Sequence, residues 1–277
     1  MNLLLSASLC FLLCLMLPVD SMMVRLNSTS HDAKKPVPLG MAEDAVDDMY
    51  FGCNKTMAEM VKNKFFRKEM KEKTGTFADV WKRAESCANR KLKQRTAGDQ
   101  ALTKDHLQAI CVFTSDDDDG DDDEGFYKTF NDAVRKNKKK YDTDFLFHSL
   151  HFWLTSAVQI LSNNKKCHTT YRRTNHTFTG KRNNMMRFGS FASSSHKTTL
   201  VDFGNKTCFK ITTCSGADLK RYSEVKGEEE VLIPPYEVFK ITEKKKGGEV
   251  KELVGCKVVY RLESAGVLSN LNCKLTL

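Results

Sequence analysis

Three glutamates, Glu228, Glu229 and Glu230, run directly into Val231-Leu232-Ile233, and Pro234-Pro235 closes the segment. The apolar triplet has the character of a buried strand. The proline pair must end it, because proline has no amide to give to a central ladder. Side chains alternate along a strand, so Glu228 and Glu230 are expected on one face and Glu229 on the other. Two carboxylates at the mouth of a buried strand can share one substrate. One stabilises positive charge on a sugar ring while the other handles an incoming nucleophile. A charge run taken alone is more often a solvated face, so the rest of the chain has to support the assignment.

Two further places carry candidate groups. Tyr171-Arg172-Arg173 falls at the end of an expected strand, where a guanidinium can grip a phosphate with two parallel hydrogen bonds. Arg187 to Ser195 reads RFGSFASSS, and alternation puts Phe191 and Ser193 on one face. There Phe191 packs while the Ser193 hydroxyl bonds a carboxylate or an amide. No Gly-x-Ser-x-Gly elbow surrounds these serines, which argues against a serine hydrolase. No Cys-x-x-Cys pair or histidine cluster has metal spacing, so no metal is expected. The acidic run Asp116–Glu124 lacks the ligand order of a calcium loop and reads as a solvated loop. His151 sits on an apolar helical face, as hydrogen-bonded core histidines do.

Helices and then strands must position these groups. Met57, Met60, Val61 and Phe65 have helical spacing, as do Phe77, Val80, Trp81 and Ala84. A short helix over Lys104–Gln108 is expected to run into a strand, Ala109–Thr114. Tyr127, Phe130 and Val134 mark another helix, and Phe147 to Leu161 mark the strongest one. Beyond Asn163-Asn164 the apolar stretches shorten. Strands are expected over Cys167–Arg172, Met186–Ser193, Thr207–Thr213, Glu229–Ile233, Tyr236–Thr242 and Lys257–Leu262, with a turn at Gly247-Gly248. The order implies an α+β fold. Residues 1–21 read as a secretory signal, 22–45 as a loose arm, and 46–277 as one domain, helical to about residue 163.

Composition agrees with export. Of ten cysteines, two lie in the signal, and the remaining eight imply disulfides whose pairing the spacing leaves open. Asn-x-Ser/Thr sequons begin at Asn27, Asn54, Asn175 and Asn205. The C-terminal residues lack the hydrophobic tail of a lipid-anchor signal, so the expectation is a secreted, extracellular monomer without a membrane anchor. The formal charge is +9, but the cations are dispersed rather than set in a stripe with aromatics. Nucleic acid is therefore not an expected partner, whereas an anionic dinucleotide is compatible.

The order Arg…Ser…Glu-x-Glu resembles the R-S-E signature of the arginine-specific mono-ADP-ribosyltransferases, the vertebrate ecto-enzyme family. Tyr171-Arg172, Phe191 to Ser195 and Glu228 to Pro235 carry it. Asp47 to Cys53, Ser149 to Thr155, Thr213-Cys214 followed by Gly216-Ala217, and Asn272-Cys273 look like its flanking pieces. The resemblance spans roughly residues 40–277. It implies N-terminal helices packed on two crossed β-sheets, with NAD, the substrate, in the cleft between them. By position, Arg172 holds the NAD phosphates, and Ser193 orients the catalytic glutamate and the nicotinamide end. Glu230 is the catalytic glutamate, and Glu228 activates the arginine of an acceptor protein. It also implies disulfides Cys53–Cys273 and Cys167–Cys214, leaving Cys87, Cys111, Cys208 and Cys256 unassigned. Phe113-Thr114 stands where a Tyr-Thr pair often helps bind NAD, so Phe113 and Thr114 join Arg172 and Ser193 as candidate NAD contacts. Arg173 replaces a frequent glycine and either adds a phosphate contact or crowds the cleft. The activity implied is transfer of ADP-ribose from NAD to arginine. The alternatives are an NAD glycohydrolase using water, or a catalytically silent secreted binding module. The acidic run offers a means of steering basic targets.

Overall fold

The structure, a computed structural model, describes residues 35–72, 77–115, 125–163 and 166–277. The expected signal (1–21), the first part of the expected arm and the acidic run Asp116–Glu124 lie outside the described residues. The rest of that arm is not loose. Leu39 and Ala45 are buried, and Val37 and Pro38 pair with Phe178 and Thr179.

Apolar residues at helical spacing form helices as expected. Met57, Val61 and Phe65 are buried on α1 (Asn54–Met60), a π turn (Val61–Phe65) and α2 (Phe66–Glu69). Phe77, Val80 and Trp81 are buried on α3 (Phe77–Arg83). The sequence pattern gives no sign of α4 (Glu85–Leu92), whose buried face is only Cys87, Ala88 and Lys91. A single helix, α5 (Lys104–Thr114), replaces the expected helix and strand. Thr103 caps it: its hydroxyl accepts from the His106 amide at 3.3 Å, and its own amide donates to His106 Nδ1 at 3.0 Å. Every residue from Leu107 to Thr114 is buried. A helix covered on all sides loses its one-sided stripe, and its sequence then looks like a buried strand. Two more helices, α6 (Phe126–Lys136) and α7 (His148–Ser162), complete the layer. The Glu69 carboxylate accepts from the amides of His148 and Ser149, at 2.8 and 3.2 Å, and satisfies the start of α7.

The strands are β1 (Val37–Pro38), β2 (His168–Thr174), β3 (Phe178–Thr179), β4 (Met185–Met186), β5 (Ala192–Ser195), β6 (Thr207–Thr213), β7 (Ala217–Asp218), β8 (Glu230–Ile233), β9 (Glu237–Lys246) and β10 (Val258–Val267). Among the described residues, β1 pairs with β3, and the other eight form one ladder in the order β4-β9-β10-β6-β2-β5-β8-β7. The β2–β5 link is a single residue pair, Tyr171 with Ser195. The ladder therefore consists of two halves joined at a seam. Ala192 and Ile233 of the smaller half share a core with Phe209, Ile211, Phe239, Ile241 and Leu262 of the larger half. On its opposite face the smaller half gives Ala217 and Leu232 to the helical core. These two halves are the expected pair of crossed sheets.

The expected strand Met186–Ser193 is broken in the middle. Arg187 turns inward there, and its Nη1 lies 2.6 Å from Asp47 Oδ2, with both side chains 0% exposed. The same guanidinium donates to the carbonyls of Met41 and Leu268, each at 2.7 Å. Gly189 makes the turn with φ of +68°, and a Cβ there would stand 2.4 Å from that of Ala42. Asp47 also accepts from the amides of Asn270 and Leu271, so one buried carboxylate joins three distant segments. The described residues hold four disulfides: Cys53–Cys273 and Cys167–Cys214, as the resemblance implies, together with Cys87–Cys111 and Cys208–Cys256.

Two stability predictions follow from these buried groups. Asp47→Asn should leave the Arg187 charge uncompensated and cost about 3–5 kcal/mol in denaturant unfolding. Arg187→Met in that background should recover part of the loss. His151 is held neutral, its pKa pushed down to about 3 chiefly by burial. Its Nε2 donates to the Val46 carbonyl at 3.1 Å, and its Nδ1 accepts from the Tyr50 hydroxyl at 2.7 Å. The unfolded chain takes up this proton first, near pH 6.5, so stability should fall as pH drops below that value. The slope between pH 6.5 and 5 should be shallower in His151→Gln, by up to about 1.4 kcal/mol per pH unit.

Candidate active site

Glu230 opens β8, and the register of β5 decides what it meets. Ser195 pairs with Glu230 and Ser193 with Leu232. Paired residues share a face, so Ser193, Ser195 and Glu230 all point the way Leu232 does, toward the helical layer. The Ser223 hydroxyl donates to Glu230 Oε2 at 2.9 Å and fixes its rotamer. Glu230 is 2% exposed and Glu228 5% exposed, whereas the Glu229 side chain is 58% exposed. Strand alternation is not the cause. Glu229 has φ of +50° and stands outside the ladder, so a turn rather than a pleat turns Glu228 inward. The Ser195 hydroxyl donates to the Glu228 carbonyl and holds that turn. Both carboxylate oxygens of Glu228 are closed off from solvent.

Arg172 sits at the seam and donates from Nη1 to the Ser193 carbonyl at 2.5 Å. The Ser193 hydroxyl is buried and has no hydrogen-bond partner among the described residues, so Ser223 rather than Ser193 orients Glu230. Arg172, Ser193 and Glu230 are thus gathered around the β2–β5–β8 junction. Arg173 points away, since neighbours in a strand alternate. Its guanidinium donates to the Thr198 carbonyl at 3.1 Å and to Cys256 Sγ at 3.2 Å. It therefore neither adds a phosphate contact nor crowds the site. Phe113 and Thr114 do not reach the surface, at 1% and 0% exposure. The Phe113 ring lies 4.8 Å from that of Tyr127 and supports it from behind. Thr114 Oγ1 accepts from the Glu224 amide at 2.9 Å and ties α5 to the segment leading into Glu230.

Helix α6 brings further polar groups to the site. Tyr127, Asn131 and Arg135 recur every fourth residue, beside the apolar Phe130 and Val134 that dominate the pattern. That polar stripe faces the chain entering β5. Asn131 exchanges hydrogen bonds with the Phe191 backbone at 3.1 and 3.2 Å, and Arg135 donates to Ser190 Oγ at 2.7 Å. Burial pushes the Tyr127 phenol up; the neighbouring Arg172 pulls it back, and Glu230 pushes it further up. Arg135 is lowered first by burial and also by the charge of Arg172. Two guanidinium groups and a phenol therefore converge beside Ser193 and Glu230, a combination suited to an anion next to a developing positive charge. Glu230 also borders an open cleft of about 970 Å³, which Arg172 does not line.

The site and fold define an enzyme class when set beside known proteins. The family described as NAD:arginine ADP-ribosyltransferase matches residues 39–254. The chain is 31% identical over 247 residues to the erythroblast NAD(P)(+)--arginine ADP-ribosyltransferase of Gallus gallus, covering 87% of this chain and 76% of that one. It is 34% identical over 217 residues to human ecto-ADP-ribosyltransferase 5, covering 74% and 72%. The structure is similar to that of the eukaryotic mono-ADP-ribosyltransferase ART2.2, solved as a mutant in complex with NAD. That match has a TM-score of 0.69 at 28% identity and covers 86% of this chain and 99% of the other. This protein is therefore an NAD-dependent ADP-ribosyltransferase. It belongs to the NAD:arginine ADP-ribosyltransferase family, and NAD is its substrate.

Removing the phenol of Tyr127 tests the convergence on α6. Tyr127→Phe should weaken NAD binding about tenfold by calorimetry, the size of one hydrogen bond to a charged group. Because the ring still packs on Phe113, its thermal midpoint should stay near that of the parent.

Proposed function

We propose that this enzyme transfers ADP-ribose from NAD to an arginine side chain of an acceptor protein outside the cell. The observation that carries the reading is the placement of Glu230. It is buried, gripped by Ser223 and paired across the ladder from Ser195, yet it borders an open cleft. On this reading Arg172, with Arg135 beside it, holds the NAD phosphates. Ser193 turns its unpartnered hydroxyl toward the nicotinamide end. Glu230 accepts a hydrogen bond from the nicotinamide ribose and stabilises the cationic sugar as the bond to nicotinamide breaks. The bonding pair leaves with nicotinamide. A guanidinium nitrogen then bonds to the anomeric carbon, and its proton passes to Glu228. A free arginine side chain is always protonated, so attack needs such a carboxylate.

One observation favours a second reading. The Glu228 oxygens are shut away from solvent, so the turn at Gly227 and Glu229 must open before Glu228 can meet a guanidinium. With the turn closed, water is the available acceptor and the enzyme acts as an NAD glycohydrolase. Four disulfides and ecto-enzyme relatives support action outside the cell, and no helix of the described residues is long and apolar enough to cross a membrane.

Incubation with NAD and agmatine separates these readings, with nicotinamide and ADP-ribosyl-agmatine followed by mass spectrometry. Both products are expected. Nicotinamide without the agmatine product would establish the glycohydrolase. Glu230→Ala should abolish both products. Glu228→Gln should lose the agmatine product while keeping some nicotinamide release, and equal loss of the two would remove Glu228 from its role.

A further inference from the structure

One buried charge near the site has no place in the chemistry above. Lys91, on α4, is buried, and burial lowers its pKa. Its ammonium donates to the carbonyls of Arg221 and Ser223, each at 2.6 Å. Enclosing a charge costs free energy unless acceptors surround it, and these carbonyls are its acceptors. They lie at the end of a 3-10 turn (Lys220–Tyr222), where backbone carbonyls lack partners within the turn. The same segment is tied down twice more. The Tyr222 hydroxyl donates to Asp99 Oδ2 at 3.1 Å, and the Glu224 amide donates to Thr114 Oγ1. Lys91, Ser223 and Glu230 line one cleft.

The Ser223 hydroxyl has one proton and two acceptors within reach. Glu230 Oε2 is 2.9 Å away and the Val225 carbonyl 3.4 Å. Which of them takes the proton depends on where the Ser223 backbone stands. We propose that Lys91 is a positioning residue: by fixing the Ser223 backbone it aims the hydroxyl at Glu230 and holds that carboxylate in line for the sugar cation. The inference rests on the proposed role of Glu230. The charges beside Lys91 are Glu224, Arg90 and Lys226. Tyr127 and Arg172 face Glu230 from α6 and β2, and Glu228 and Glu229 precede it in the chain. A substitution at Lys91 leaves all of these in place.

The test is the pH profile of nicotinamide release from NAD, measured for Lys91→Met, Ser223→Ala and the double variant. A hydroxyl that donates to a carboxylate favours its ionised form. Losing it in Ser223→Ala should lower kcat about tenfold and move the acid limb of the profile up by about one pH unit, the worth of one hydrogen bond to a charged group. KM for NAD should stay within about twofold of the parent. Lys91→Met should reproduce both effects. The double variant should lose no more than either single one, because all three break the same contact. Lys91→Gln keeps one donor and disturbs the fold less, so it should show the same shift at smaller amplitude and decides the matter if Lys91→Met does not fold. A drop in kcat with the acid limb unmoved would make Lys91 structural only and overturn the proposal. Losses that multiply in the double variant would overturn it too, since Lys91 would then act independently of Ser223. Glu230→Ala separates the two levels of the argument. Retained nicotinamide release in that variant would remove the role of Glu230 and this inference with it. An inactive Glu230→Ala beside a parent-like Lys91→Met would defeat this inference alone.

Discussion

The contact between the Arg172 guanidinium and the Ser193 carbonyl lies where the two halves of the sheet meet, and the remainder of the site is arranged about it. The ladder at that point is a single residue pair. Strands cross with little backbone hydrogen bonding there, which leaves space that side chains must fill. A charged side chain at such a seam needs acceptors, and the Ser193 carbonyl is one. The same seam brings the start of β8 beside the end of β2. On the proposed reading, that junction sets the guanidinium that holds the phosphates close to the carboxylate that stabilises the cationic sugar.

Around that seam the protein spends much of its buried polarity on holding shape. Asp47 and Arg187 fasten the segment between β1 and α1, the bend before β5 and the segment after β10. Asp48 is buried and its pKa is raised, chiefly by burial, yet it still accepts from Tyr141, Tyr50 and Cys273. Glu237 plays the same part at the start of β9 in the larger half, accepting from Thr213, Cys214, Ser215 and Ser264. Such groups cost desolvation, and each is matched by several donors, as buried carboxylates must be. The rigid frame allows Glu230 to be positioned by one short strand.

Much of this was legible in the residues. Thr207–Thr213 emerges as a strand with both ends where the pattern puts them, because its alternation is undisturbed. Val231-Leu232-Ile233 reads as buried because it packs on both faces, with Leu232 against the helices and Ile233 between the sheet halves. What escaped has a common cause, since local pattern cannot report what lies across the chain. The interior position of α5 erased its periodicity. The inward turn of Arg187 depends on Asp47, 140 residues away. Glu229 left the strand through a backbone angle that no polar residue advertises. Tyr127 was read only as part of the apolar stripe and Arg135 was masked beside it, although their spacing along α6 was present in the sequence. The pairing of Cys87 with Cys111 and of Cys208 with Cys256 required the packing of α4 on α5 and of the β10 approach on β6.

The bond between Cys53 and Cys273 closes a loop of 220 residues, and Phe51 is tied to Asn272 beside it through paired side-chain and backbone hydrogen bonds. Tension applied to the two ends of the chain therefore passes through one covalent bond. The seam, the Glu230 turn and the helical layer all lie inside that closed loop. On the proposed reading of an enzyme acting outside the cell, that bond shields the reactive geometry from forces on the two chain ends.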